Sequence, residues 1–151
     1  MSKDSVLNEL RRRAPTVASK LGTAVMHYRL IPADSAEARE VVSWIETHFP
    51  IQGERIDWSK VPSHERVEWS EIADLAESSA RLASGLRGDT EVVVTWSDGS
   101  CPSLAMQKSD LLTISAEVFG ADFDTWIVCI AENWCLEAHH DGIVCAANGM
   151  S

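Results

Sequence analysis

Between Cys135 and Asp141 the chain reads "CLEAHHD", which brings a thiol, a carboxylate and two imidazoles close to a second carboxylate. These are the residue types that ligate metals and move protons. A zinc site needs three or four such ligands converging at about 2.0–2.3 Å from one ion. Spacing decides whether they converge. If Asp141 and Gly142 form a two-residue hairpin turn, His140 faces Ile143, Ala138 faces Cys145 and Leu136 faces Ala147. That register sends His139 and His140 to opposite faces of the sheet. Cys135, Glu137 and His139 share a face, but alternate residues of a strand lie about 6.5–7 Å apart. No CxxC, HxxxH or HExxH spacing occurs. The expectation is therefore a charged hairpin face with inert cysteines, and no metal.

Nucleophilic chemistry has equally little behind it. Cys101, in "DGSCP", follows a turn and reads as the most accessible of the four cysteines. A reactive thiol needs a neighbouring base or positive charge to lower its pKa, and no spacing supplies one. The eight glycines are scattered and form no phosphate-binding loop. The reading is a non-enzymatic chain with no catalytic residues and no cofactor. Its alternative is a small enzyme or metal-binding protein using the Cys, His and Glu residues of the C-terminal strands.

The elements that hold these residues follow from periodicity. Residues 4–13 read as a helix capped by Asp4, and Pro15 stops it. A strand is expected over 22–31. Asp34 and Glu37 have capping-box spacing, and Ala38, Val41, Val42, Ile45 and Phe49 make an apolar stripe, so 34–48 is a helix. Residues 50–66 read as a long loop with one helical turn, carrying Trp58. Ile72, Leu75, Ala76, Ala80, Ala83 and Leu86 form the buried stripe of a helix over 70–86. From 90 onward the order is ββαβββ: strands at 90–96 and 103–107, a helix over 110–119, then strands at 124–130, 135–140 and 143–147. The fold class is α+β, a mainly antiparallel sheet with three or four packing helices. The domain is single, 1–151. It divides into 1–32 (a helix and a candidate strand), 34–88 (helical, with the 50–66 loop) and the β-rich 89–148.

Charge narrows the partner class. The net charge is −10 and it is uneven. Residues 1–32 carry six Lys/Arg against two Asp/Glu, whereas residues 89–151 carry Lys108 alone against ten acids. A negative C-terminal part repels phosphate backbones and attracts basic partners. No nucleic-acid partner is expected. No apolar run approaches the roughly 18 residues needed to span a bilayer, and the first residues lack a signal-like apolar stretch, so a cytoplasmic chain with no membrane partner is expected. Six tryptophans are present. Trp44, Trp96 and Trp126 fit the core, while Trp58 and Trp134 fall in loops, where tryptophan serves as an interface anchor.

The stretch "VVVTWSDGSCPSL", then a helix, then "DTWIVCIAENWCLEAHHDGIV" resembles small acidic immunity proteins of bacterial polymorphic-toxin and contact-dependent growth inhibition systems. The matching residues are Asp124, Thr125, Trp126, His140, Asp141 and Gly142, and the resemblance covers residues 90–147. It implies binding to a cognate toxin domain, often a basic nuclease, whose active site is blocked. The acidic face would comprise Asp98, Asp122, Asp124, Glu132, Glu137 and Asp141, with Trp134 as its anchor.

Overall fold

Caps and prolines set the helices of the N-terminal part. The computed structural model describes residues 2–23 and 26–150. Helix α1 (Lys3–Arg13) is capped by Ser2, whose side chain accepts from the Ser5 N–H, and three arginines close its last turn. Pro15 ends α1 but also opens a second helix, α2 (Pro15–Thr23), because a proline suits the first helical position, where its missing N–H has no partner to lose. The strand expected over 22–31 shortens accordingly to β1 (Tyr28–Ile31); its residues 24 and 25 lie outside the described residues. In α3 (Ala36–His48) the cap is Ser35, not Asp34: the Ser35 hydroxyl accepts from Ala38 N–H at 3.2 Å.

The 50–66 segment is more ordered than a loop. It forms a short hairpin, β2 (Ile51–Gln52) and β3 (Arg55–Ile56), turning at Gly53 with φ +65°. One 3-10 turn follows over Trp58–Lys60, and then a strand, β4 (Glu65–Glu68). Helix α4 (Ile72–Ala83) buries Leu75, Ala76, Leu82 and Ala83, while Ile72, expected inside, is exposed. Strands β5 (Glu91–Trp96) and β6 (Ser103–Gln107) precede two short helices, α5 (Lys108–Thr113) and α6 (Ser115–Phe119). The single helix expected there breaks at Ile114, whose φ −119° and ψ 22° leave the helical region. The chain closes with β7 (Thr125–Cys129), β8 (Trp134–His139) and β9 (Ile143–Asn148).

Seven strands form one antiparallel sheet in the order β1-β6-β5-β7-β8-β9-β4, so the fold is α+β. Strand alternation gives the sheet two buried faces. One carries Val92, Val94, Leu104, Ile127, Leu136 and Val144 against α1, α2, α4, α5 and α6. The other carries Val93, Ala105, Val128, Cys135, Cys145 and Ala147 against α3 and the Ile56–Val61 segment. Each fully buried Leu or Val contributes about 1.5–3 kcal/mol, and together they fix the register. Among the described residues no helix is long and apolar enough to cross a membrane.

The β8–β9 turn differs from the two-residue expectation in a way that matters. His139 pairs with Ile143, Ala138 with Val144 and Glu137 with Cys145. The loop therefore has three residues, His140–Gly142. Gly142 N–H donates to the His139 carbonyl at 3.1 Å, and Gly142 takes φ +96°. A side chain at that glycine would also lie 3.1 Å from the Trp69 carbonyl oxygen. The extra residue shifts the expected pairing by one and lifts His140 out of the strand alternation.

Candidate functional site

The β7–β8–β9 meander has two ends, and the acidic residues expected to form one face divide between them. At one end the 97–101, 120–124 and 139–142 loops are tied together by short polar bonds. Asp122 accepts from the N–H groups of Asp98 and Phe123, each at 2.8 Å. Ser97 N–H donates to the Asp124 carbonyl at 3.1 Å, and the Asp124 carboxylate accepts from His140 N–H at 2.8 Å. Asp98, Asp122, Asp124 and Asp141 thus come together. Two of these acids hold guanidinium groups: Asp98 binds Arg13 and Asp141 binds Arg55, at 2.8 and 2.7 Å. The Ser100 N–H holds the Asp98 carboxyl below its usual range against the opposing effect of burial, with Arg13 adding to it. At Asp141 burial alone would raise the carboxyl, but the Arg55 and His139 contacts outweigh it and hold it low.

Phe123 stands in the middle of this end. It is 77% exposed, the most exposed of the large apolar side chains among the described residues, and meets His140 in a T-shaped ring contact, centroids 6.0 Å apart. Its ring therefore lies outside the core, flanked in the chain by Asp122 and Asp124. The sequence reading passed over Phe123, although "GADFDT" carries the signal: an apolar ring in a short acidic loop next to glycine.

Both histidines belong to this cluster, contrary to the opposite-face expectation. Their rings stack with centroids 4.3 Å apart. His140 Nδ1 lies 2.9 Å from Asp124 Oδ1, and His139 Nε2 lies 3.8 Å from the same oxygen. Ligand atoms of Asp124, His139 and His140 all fall within 4.8 Å of one another. His139 Nδ1 sits 3.1 Å from Asp141 Oδ1 and 3.3 Å from Asp141 N–H. The Asp141 N–H donates to Nδ1, whereas an Nδ1–H donating to the carboxylate would need the other tautomer, and in either case Nε2 is the nitrogen on the Asp124 side.

The remaining expected contact residues lie elsewhere. Glu132 is in the 130–133 turn at the far end of the meander, with its Oε2 buried and without a hydrogen-bond partner among the described residues. Trp134 is only 6% exposed and packs in the helix-covered core, so it is no surface anchor. Trp58 is also buried, against Phe49 and His64. Glu137 is 1% exposed and belongs to no binding face. Its carboxylate accepts from Ile56 N–H at 2.8 Å, Trp58 Nε1 at 3.0 Å and Trp126 Nε1 at 2.8 Å, with Arg55 Nε 3.9 Å away. Glu137 is therefore the anchor that holds the 55–58 segment on the sheet, and it explains why Trp58 is inside.

All four cysteines are free and buried. Burial pushes the Cys101 thiol up to about 12, with Asp98 adding to the effect, and raises Cys145 to about 11. Burial, helped by Glu137, raises Cys135 well above the ordinary thiol range. Cys101 is thus not the accessible thiol its turn suggested, and its surroundings suppress the thiolate a nucleophile requires.

Compared with models of known protein families and with curated proteins, the chain matches none.

Proposed function

We propose that this chain is a non-enzymatic protein-binding domain that docks a basic partner on the loop end built from residues 97–101, 120–124 and 139–142. Phe123 carries the reading. It is a large, 77% exposed apolar ring in a hydrogen-bonded loop, flanked by Asp122 and Asp124. Rigid loops with a central aromatic and a charged rim are how interfaces combine affinity with steering. Four carboxylates, Asp98, Asp122, Asp124 and Asp141, against the two guanidinium groups of Arg13 and Arg55 give this end an excess of acidic over basic side chains. The partner class follows from that sign, and a toxin domain with a basic active site fits it, as in the immunity proteins that the C-terminal half resembles. The raised and buried thiols also speak for binding over nucleophilic catalysis.

Site-directed photocrosslinking tests this reading. A photoreactive phenylalanine analogue is placed at Phe123 in the full chain, and separately at Ile130, an exposed apolar residue of the 130–133 turn. In the source cells one protein should crosslink at 123 and not at 130. Co-expressing its C-terminal domain should then be toxic, and toxicity should be relieved by the wild-type chain and not by Phe123→Glu. Equal labelling at both positions, or rescue by Phe123→Glu, removes this end as the docking surface.

A further inference from the structure

We infer that Asp124, His139 and His140 form a binding site for a divalent transition-metal ion of the zinc class. The site shares Asp124, His139 and His140 with the proposed docking end, and a bound ion would offset part of that end's negative charge, but the inference rests on ligand geometry and not on the partner reading. Three observations carry it. First, the donor set is right: two imidazoles and one carboxylate suit Zn²⁺, Co²⁺, Ni²⁺ or Cu²⁺, whereas Mg²⁺ and Ca²⁺ select all-oxygen sites.

Second, the distances bracket what an ion demands. Tetrahedral zinc with ligands about 2.0–2.1 Å away holds its donor atoms about 3.3 Å apart. Around Asp124 Oδ1, the His140 Nδ1 and His139 Nε2 atoms lie at 2.9 and 3.8 Å, and one ligand atom from each of the three residues lies within 4.8 Å of the others. Closing the set needs the His139–Asp124 pair to shorten by about 0.5 Å and the exposed His140 ring to draw back from Asp124 by a similar amount.

Third, the surroundings orient the ligands. His139 Nδ1 faces the Asp141 carboxylate at 3.1 Å, and Asp141 is itself held by Arg55 at 2.7 Å. A carboxylate behind the distal nitrogen of a ligating histidine fixes the tautomer and raises its basicity. Asp124 is held through its carbonyl by Ser97 N–H and through its side chain by His140 N–H. Three protein ligands leave a coordination position for water. The extra residue in the 140–142 loop makes this possible, since strict strand alternation would have separated the two rings.

Isothermal titration of the untagged, metal-stripped full chain with ZnCl₂ at neutral pH is the test, with MgCl₂ as control. One equivalent of zinc should bind and magnesium should not. Asp124→Asn and His140→Ala should each weaken zinc at least tenfold, and His139→Ala/His140→Ala should abolish saturable binding. His140 is exposed, so its variant keeps the fold, which unchanged circular dichroism and urea unfolding will confirm. Cobalt bound in place of zinc should show no thiolate charge-transfer band. Absence of saturable zinc binding at about 1 mM overturns the inference. So does zinc binding that the His140→Ala and double variants leave unchanged.

Discussion

Glu137 and the Asp124 cluster lie two residues apart along β8, through His139, and draw on similar residue types, yet they differ in how their polar atoms are spent. The Glu137 carboxylate has three N–H donors from two segments of the chain, two of them indoles, and almost no contact with solvent. Its bonding capacity is committed to holding the fold. Two residues further along the strand, His139 shares Asp124 with His140, and the ring of His140 faces solvent. A saturated carboxylate is a structural part, and a half-exposed cluster whose members serve each other retains capacity for a ligand. Residue type alone does not separate the two cases; the number and burial of donors does.

The largest effect should come from breaking the saturated site. Glu137→Ala strands a backbone N–H and two indole N–H groups in the interior, each costing about 1–3 kcal/mol, so we expect a loss of about 4 kcal/mol or failure to fold. Urea unfolding measures it, and a loss below about 1 kcal/mol would erase the contrast drawn here. Trp58→Phe keeps most of the ring and deletes one donor. It should cost about 1–2 kcal/mol, with Glu137 retaining its bonds to Ile56 and Trp126. The smallest effect belongs to the exposed cluster. Asp141 has a lowered folded pKa, so its contribution to stability is present above the ordinary aspartate range and is lost as pH falls through the folded value. Because Asp141 is substantially exposed, Asp141→Asn should lower neutral-pH stability by less than about 1 kcal/mol and flatten the acid limb of the stability profile. A pH-independent difference between the two proteins would show that Asp141 acts by packing rather than charge.

The sequence made the strand and helix inventory of residues 90–148 legible because short alternating runs are separated by turn residues such as Asp98-Gly99 and Asp141-Gly142. It was less informative over 50–66, where β2 and β3 have only two residues each and the force that orders them, the Glu137 carboxylate, comes from 81 and 79 positions away. Long-range bonds of that kind leave no local pattern. The misplacing of Trp134 has a different cause. The 130–133 turn ends one residue earlier than the spacing suggested, with Asn133 at φ 53°, which turns Trp134 into the core as the first residue of β8. The histidine cluster was hidden by one residue of loop length, since a two-residue turn and the observed three-residue loop give opposite answers about which rings meet.

The strand order carries a consequence for synthesis. Both outer strands of the sheet, β1 and β4, come from the first 68 residues, while every strand they pair with lies beyond residue 102. A ribosome therefore delivers the margins of the sheet well before its centre, at about 5–20 residues per second. During that interval α3 and α4 carry apolar stripes with no sheet to lie on, and the nascent chain is most open to chaperones and to mispairing. Once β5 to β9 have emerged, the meander forms from near neighbours in sequence and gives both early strands their edges. We expect folding on the ribosome to complete as a late, single event rather than in stages from the N-terminus.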